Sequence, residues 1–345
     1  MATFLYVLLA VFVFGLLIFF HEGGHFLFAR LFNVSIKEFA IGMGPKLFSK
    51  VSKKSGIAYS LRAFPIGGFV SMVGEDEESD DPNALNKKPV WQRIIIVAAG
   101  AVTNLLIGFI VMTVLVFTLD ILGSTTIAVN EDSKAYECGL RDRDVICEID
   151  GTDIHIGDEI IYQIMRRGIN PIDITVMRDG EKMVIEDVQF ALETEQGFTY
   201  GNMDFQIYRD ELTVANKVKH SFYKSTNTVT MIWESLYDLV TGRYSMEAIS
   251  GPVGVTEALT DAAKSSIPDF VNLVVAISMN LGIMNLLPFP ALDGGRLVFL
   301  IIEAIRRKPV KAEIEGYVHF AGIVILMLLM VLICAKDIIG LLGLI

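Results

Sequence analysis

The sequence predicts a polytopic α-helical membrane protein with four transmembrane helices, a membrane-associated β loop and one inserted α+β domain. Hydrophobic residues make up 52% of the 345 residues, and the mean hydropathy of +0.51 is high for a soluble protein. Apolar stretches long enough to cross a bilayer alternate with polar regions. The net charge of −11 and the lack of a cluster of basic and aromatic residues argue against nucleic acid as a partner.

This alternation divides the chain into eight predicted segments. They are a first transmembrane helix at residues 1–32, a cytoplasmic or membrane-associated β loop at 33–92, a second transmembrane helix at 93–123, an extracytoplasmic α+β domain at 124–210, a juxtamembrane amphipathic helical region at 211–267, a third transmembrane segment at 268–304, a cytoplasmic loop at 305–315 and a fourth transmembrane helix at 316–345. The orientation follows from the positive-inside rule, because basic residues concentrate in the β loop and in the last loop.

The first predicted helix carries a metal-binding motif. An apolar run of 17 residues leads into the sequence H-E-G-G-H at residues 21–25. On a helix, His21 and His25 share one face and can bind one metal ion, and Glu22 is placed to activate a water molecule. A rise of about 1.5 Å per residue puts the motif near the cytoplasmic leaflet. A chance match is the alternative, but ionisable groups at this depth are costly without partners.

The loop that follows is predicted to form paired strands. Between Ile36 and Val73 the sequence changes to short runs that are broken by glycine and proline, a pattern typical of strands and turns. The acidic run from Glu75 to Asp81 is interpreted as a solvated loop.

Residues from Ile127 to about Ile207 are typical of a compact α+β domain. β-branched runs alternate with turn residues, and Asp179-Gly180 predicts a hairpin turn. The three cysteines predict neither a disulfide framework nor a C-x-x-C metal site, and a bond between Cys138 and Cys147 is left open. The next stretch, from Val214 to about Gly242, predicts an amphipathic helix.

The third transmembrane segment is expected to supply the rest of the metal site. A catalytic zinc needs a third protein ligand and an open position, and the membrane sequence offers Asp293 and His319. Asp293 is the better candidate, because Pro288, Pro290 and a pair of glycines break the helix around its carboxylate. His319 is interpreted as a packed or hydrogen-bonded histidine.

Together these motifs resemble the site-2 protease family of intramembrane zinc metalloproteases, and its regulator-of-sigma-E protease branch in particular. The resemblance rests on H-E-G-G-H at residues 21–25 and on N-L-L-P-F-P-A-L-D-G-G at 285–295. The sequence at 59–75 is similar to the membrane-associated β loop of that family. The sequence at 133–153 is similar to the start of its PDZ domain, and only one such domain fits this chain.

Carried over to this chain, the resemblance implies one catalytic residue, three metal ligands and four substrate-binding residues. These are Glu22 as the general base, His21, His25 and Asp293 as ligands of Zn²⁺, and Asn285, Pro288, Pro290 and Asn104 as substrate-binding residues. Ala101 replaces a proline that is usual before the last of these, so a helix-packing amide is a comparable interpretation of Asn104.

These features predict a zinc metalloendopeptidase of the bacterial plasma membrane. It would hydrolyse peptide bonds within transmembrane segments of pretrimmed single-span substrates, and the resemblance implies anti-sigma factors and remnant signal peptides. Two other classes stay open. One is a PDZ-based membrane adaptor with a non-catalytic metal site, which the intact Glu22 disfavours. The other is a transporter in which Asn285 and Asp293 coordinate an ion, and no inverted repeat supports it.

Overall fold

A computed structural model describes residues 2–75, 77–195, 198–243 and 251–341. The helices among these residues are α1 (Ala2–Leu31), α2 (Val90–Thr118), α3 (Lys134–Glu137), α4 (Gly157–Arg167), α5 (Val214–Val240), α6 (Pro252–Ser265), α7 (Ile267–Leu286), α8 (Asp293–Arg306) and α9 (Ala312–Leu341). The strands are β1 (Ile36–Val51), β2 (Ala58–Met72), β3 (Gly123–Ala128), β4 (Val145–Ile149), β5 (Thr152–Asp153), β6 (Ile172–Arg178), β7 (Glu181–Val188), β8 (Ala191–Glu195), β9 (Phe198–Asn202) and β10 (Gln206–Arg209). Small parts of the predicted acidic run, α+β domain, juxtamembrane region, and first and last helices lie outside the described residues.

Four of the described helices are long and apolar enough to cross a membrane. These candidate spans are Val7–Leu31, Val90–Thr118, Ile267–Leu286 and Glu313–Asp337. Their large apolar side chains point outwards, as with Phe12 in α1 and Leu328 in α9, which are 66% and 62% exposed. Such surfaces are stable in lipid rather than in water, and the predicted class of α-helical membrane protein is confirmed.

The chain groups into two compact units, which are considered separately. The first unit combines residues 1–108 with 249–345, and the second unit comprises residues 109–248.

In the first unit, β1 and β2 form a long antiparallel hairpin that bends. Gly42 and Gly67 have φ angles of 84° and 78°, which glycine adopts most readily. Because both strands bend, residues 36–41 of β1 lie between residues 68–72 and residues 58–61 of β2. We call residues 68–72 the edge strand, since no other strand in the described part of the chain pairs with its outer side.

An apolar core joins the base of this hairpin to α1 and α2. Its buried members are Ala29, Val34, Ile36, Phe39, Ile57, Val70, Met72, Leu85 and Ile96. Since the core includes residues of the edge strand, it fixes that strand beside α1.

The third predicted transmembrane segment is two helices. α7 ends at Leu286 and α8 begins at Asp293. Between them, Pro288 and Pro290 lack the N–H group that a continuing helix needs, and each disfavours a helical conformation in the residue before it. The segment at 268–304 is therefore divided into two helices at the expected break.

The second unit contains a mainly antiparallel sheet with the strand order β10-β3-β4-β6-β7, to which β5 adds at β4. α4 packs two buried residues, Ile160 and Ile164, into the core beside this sheet. The expected hairpin turn joins β6 to β7, with positive φ angles at Asp179 and Gly180. A second hairpin, β8–β9, has no counterpart in the sequence predictions.

The predicted amphipathic helix is α5, and it binds α4 through polar side chains. The contacts are Lys224 with Asp158 (3.1 Å), Tyr162 with Glu234 (2.6 Å) and Arg166 with Asp238 (3.0 Å). The polar side of α5 therefore packs against α4 within the second unit. Elsewhere in the unit, Cys138 and Cys147 are free thiols, so the bond left open above is absent.

Candidate metal centre

The two histidines of the H-E-G-G-H motif converge on one side of α1. His21 and His25 are 9% and 8% exposed, and their Nε2 atoms lie 3.3 Å apart. This approach is the direct result of the i, i+4 spacing on an unbroken helix.

Helix α2 fixes the orientation of the second histidine. His25 Nδ1 lies 2.8 Å from the backbone oxygen of Ile96. Because a carbonyl oxygen only accepts hydrogen bonds, Nδ1 carries the proton, and the neutral ring presents a lone pair at Nε2. This contact requires the glycine at position 100, because a Cβ on Gly100 would collide with the His25 ring.

Asp293, the first residue of α8, completes the group. Its Oδ2 atom lies 3.3 Å from His21 Nε2 and 3.2 Å from His25 Nε2. The three atoms therefore form a nearly equilateral triangle, and they belong to residues that could hold a metal ion.

A residue on α9 supports the loop that presents this carboxylate. Ala291 has a φ of 78°, a left-handed conformation that is unfavourable for a residue with a Cβ. Its N–H donates to His319 Nδ1 at 3.0 Å. His319 thus acts on the loop before Asp293, in agreement with its interpretation as a hydrogen-bonded histidine. A Cβ at Gly294 or Gly295 would collide with the backbone of the same turn.

The dimensions and the chemistry of the triangle fit zinc. With zinc–nitrogen bonds of about 2.0–2.1 Å, the ligand atoms of a tetrahedral site lie about 3.3 Å apart. Asp293 Oδ2, one of the three converging atoms, is buried and has no hydrogen-bond partner among the described residues. Acceptor atoms that face one another in a buried site repel unless a cation binds between them. Two imidazoles and one carboxylate suit zinc and leave a fourth position for water or substrate.

A cavity of about 220 Å³ adjoins the three atoms. Glu22 lines this cavity and is 9% exposed. Gly68, Phe69, Val70 and Met72 of the edge strand form another wall. The edge strand approaches Glu22 so closely that a Cβ on Gly68 would lie 2.9 Å from Glu22 Cγ.

Two further charged residues line the cavity, and neither was predicted from the sequence. Glu75 and Arg296 form an ion pair with side chains that are 18% and 33% exposed. The interpretation of Glu75 as part of a solvated run is therefore wrong. Arg296 stands one helical turn after Asp293, a spacing that could have indicated it. Glu75 carries no comparable signal, because its partner is 221 residues away in the sequence.

The four expected substrate-binding residues are not among those that line the cavity. Asn285 lies half-buried in the last turn of α7, and the loop that follows holds Pro288, which is exposed, and Pro290, which is half-buried. Asn104 is fully buried on α2, where its backbone oxygen accepts a hydrogen bond from Ser278 of α7 at 2.9 Å. The contact uses the backbone of Asn104, and its side-chain amide is buried with no hydrogen-bond partner among the described residues, so the role of the amide stays a prediction.

Comparisons with known proteins agree with this geometry. The family model described as peptidase family M50 matches residues 9–329, so the chain belongs to that family. It is 35% identical over 336 residues to a Clostridium perfringens protein that carries a zinc-metalloprotease name, an alignment covering 97% of this chain and 99% of the relative. It is also 31% identical to the regulator of sigma-W protease RasP of Bacillus subtilis, with 95% of this chain and 97% of the relative covered.

A third relative, the zinc metalloprotease RasP of Bacillus licheniformis, is 30% identical, with 95% of this chain and 97% of the relative covered. The family match and the names of these relatives confirm the predicted class, a zinc metalloendopeptidase of the site-2 protease type.

Proposed function

We propose that this chain cleaves peptide bonds inside the membrane, with His21, His25 and Asp293 as zinc ligands and Glu22 as the general base. The observation that carries the proposal is the convergence of three candidate ligand atoms, 3.2–3.3 Å apart, beside a cavity that Glu22 lines. A structural zinc site is closed by four protein ligands and needs no base beside it. Three ligands and an adjacent carboxylate favour catalysis.

The side chains divide the chemistry between them. Zinc, when bound, acts as a Lewis acid that polarises the scissile carbonyl and makes water a better nucleophile. Glu22 takes the proton from the attacking water and passes it to the leaving amine, so that one water molecule is added across the broken peptide bond. The hydrogen bond to Ile96 keeps His25 in the tautomer that can bind a metal. Asp293 contributes the negative charge that offsets part of the charge of the ion.

The substrate class follows from the surroundings of the cavity. A transmembrane helix hides its peptide bonds in internal hydrogen bonds, so a substrate must unwind before hydrolysis. The outer side of the edge strand can pair with the unwound segment and replace the hydrogen bonds it has lost. Because this strand also walls the cavity, the paired segment would pass beside Glu22.

The predicted substrate-binding residues contribute differently. Pro288 and Pro290 act by ending α7 and allowing α8 to begin at Asp293. For Asn285, a contact with the unwound substrate is supported by the family resemblance and by its place in the turn before that loop. For Asn104, either substrate binding or helix packing rests on the family resemblance and on the burial of its side chain in α2.

The second unit would serve as an extracytoplasmic PDZ-like filter. Its sheet, its helix α4 and its separate apolar core support a folded domain, and the sequence at 133–153 supports the PDZ resemblance. β10 already pairs with the outer side of β3, so capture of a new carboxyl terminus would use another edge. Exclusion of substrates with bulky ectodomains needs no free strand and is the simpler role.

The basic loops support a placement with this domain outside and the metal site toward the cytoplasmic leaflet. A bacterial plasma-membrane location and single-span substrates, such as anti-sigma factors and remnant signal peptides, follow from the family resemblance, and the Bacillus subtilis relative is named a regulator of sigma-W protease.

The decisive experiment compares the wild type with Glu22→Gln in detergent or liposomes, using a model single-span substrate and measuring bound zinc. Both proteins should bind zinc, because Glu22 is not one of the converging ligands. Cleavage by the variant should fall by at least about 10²–10⁴-fold, the usual contribution of a general base. A variant that cleaves like the wild type, or a zinc-loaded wild type that cleaves none of several substrates, would refute the proposal.

A further inference from the structure

The Glu75 carboxylate bridges two elements of the site. Its Oε1 pairs with Arg296 of α8, and its Oε2 accepts a hydrogen bond from the N–H of Met72 at 3.2 Å. Met72 is the last residue of the edge strand. One side chain therefore connects the strand that walls the cavity to the helix that begins with Asp293.

The Met72 N–H lies on the outer side of the edge strand. Val73 N–H donates to the backbone oxygen of Ser35, next to β1. Because successive N–H groups of a strand point to opposite sides, Met72 N–H points away from β1. Glu75 thus occupies the hydrogen-bonding position at which a strand paired with the outer side would have to end.

Arg296 couples this strand end to the metal ligand. It lies three residues after Asp293 on α8, so the two side chains project from neighbouring positions on one helix. Both Glu75 and Arg296 line the cavity beside Asp293. A shift of the edge strand along its own axis would therefore stretch the contact to Arg296.

We propose that Glu75 and Arg296 are a positioning pair that sets the register between a bound substrate strand and the zinc site. The proposal rests on the proposed peptidase function and adds the feature that selects the scissile bond. Strand pairing alone allows slippage, since backbone hydrogen bonds carry no sequence information. The Glu75 cap ends the paired segment at one point, and the link to α8 keeps that point at a constant distance from Asp293.

A second ion pair on α8 provides a matched control. Glu303, ten residues after Asp293, pairs with Arg93 of α2, and the two side chains are 14% and 15% exposed. This pair also anchors α8, but neither residue is among those that line the cavity. Glu303→Gln therefore weakens the attachment of the helix without touching the edge strand.

The test uses full-length protein, a single-span substrate and the variants Glu75→Ala, Arg296→Gln, Arg296→Lys, the double variant Glu75→Ala/Arg296→Gln, and Glu303→Gln. Mass spectrometry of the products gives the cleaved bond, kinetics give kcat/KM, and metal analysis gives bound zinc. Hydrogen exchange of the amides in residues 68–75 reports on the edge strand without any need for activity.

We expect Glu75→Ala and Arg296→Gln to spread cleavage over neighbouring peptide bonds and to lower kcat/KM by about tenfold to a hundredfold, as small misplacements do. Amide exchange in residues 68–75 should accelerate in both, with bound zinc near the wild-type amount. The double variant should be no worse than the worse single variant, since both remove the same contact. Arg296→Lys keeps the charge and should restore the single cleavage site.

The proposal is overturned if both single variants keep the wild-type cleavage site and exchange rates, if their losses add fully, or if Glu303→Gln spreads the cleavage in the same way. Failure of the wild type to cleave would instead refute the peptidase function. In that case the exchange measurement still decides whether the pair holds the edge strand.

Discussion

In the first unit the transmembrane helices expose their large apolar side chains, such as Phe12 and Leu328, and bury polar ones, such as His21. In the second unit Ile146 and Ile174 are fully buried, and most charged side chains lie at the surface. The same physical preference produces both patterns, because each side chain moves to the medium that solvates it. Polar side chains are therefore expected to be buried in the transmembrane helices and exposed in the second unit.

The comparison becomes specific at two carboxylates. In the second unit, fully buried Asp144 accepts hydrogen bonds from Arg178 (2.7 Å) and from the N–H of Arg141 (2.8 Å). In the first unit, Asp293 Oδ2 has no hydrogen-bond donor among the described residues. Asp144 is a closed structural site, whereas Asp293 is open to a ligand. An unsatisfied buried acceptor beside other acceptors distinguishes the candidate catalytic centre from a structural ion pair.

The largest expected effect comes from opening the closed site. Arg178→Met would leave the Asp144 carboxylate buried without its cation, which typically costs about 3–5 kcal/mol. We expect hydrogen exchange across the β3–β7 sheet to accelerate, while bound zinc stays unchanged. Arg143→Met is the control, because Arg143 is 83% exposed and 3.9 Å from its partner. Equal effects of the two variants would contradict the assignment of Asp144 and Arg178 as a closed structural ion pair.

A second prediction introduces a lysine at one exposed apolar position in each unit, one expected to face lipid and one expected to face water. Leu328→Lys puts a charge on the outer surface of α9, where a lysine near the middle of a span costs about 3 kcal/mol. Val184→Lys on β7, where the valine is 55% exposed, should change the free energy of unfolding by about 0.5 kcal/mol or less. Membrane insertion of α9, from glycosylation mapping, and chemical unfolding measure the two effects. Similar costs would mean that α9 does not face lipid.

A third prediction concerns the support of Asp293. His319→Ala removes the acceptor that holds Ala291, and loss of such outer supports typically lowers metal affinity or activity by about 10–100-fold. Zinc titration and kcat/KM should both report the loss. Ala291→Gly keeps the N–H donor and relieves the unfavourable φ, so it should retain activity. Wild-type zinc affinity in His319→Ala would argue against this role.

The smallest expected effect concerns Glu38, a carboxylate of the first unit that, like Asp144, accepts several hydrogen bonds. Burial alone would raise the pKa of Glu38, but hydrogen bonds from Ser60, Lys46 and Arg62 outweigh burial and lower that pKa to about 2. A lowered pKa stabilises the hairpin fully above the ordinary value of 4.5, and the stabilisation is lost as the pH falls toward 2.

The matching variant is Glu38→Gln, which should remove this pH dependence and cost about 1 kcal/mol or less at neutral pH. Hydrogen exchange of the hairpin between pH 5 and about pH 2.5 measures the difference. An unchanged pH dependence in the variant would show that Glu38 does not provide it.

The converging residues could be predicted from the sequence because each depends on local rules. The spacing of His21 and His25 puts them on one side of any helix. The prolines before Asp293 predicted a break in the membrane, and a carboxylate at a break in lipid needs a partner. Sequence reasoning favoured Asp293 over His319 as the third ligand, but it could not locate His319. The fold places His319 beside Ala291 and not beside His21 and His25.

The sequence by itself determined the class of protein, the four apolar helices and the side chains suited to bind zinc, because hydropathy and helical periodicity act over short distances. The tertiary structure decided the pairing of Glu75 with Arg296, the bent hairpin that leaves the edge strand free, and the approach of Asp293 on α8 to the two histidines of α1. These features depend on contacts between distant parts of the chain, and no local pattern specifies which distant partner a charged side chain or a strand edge will meet.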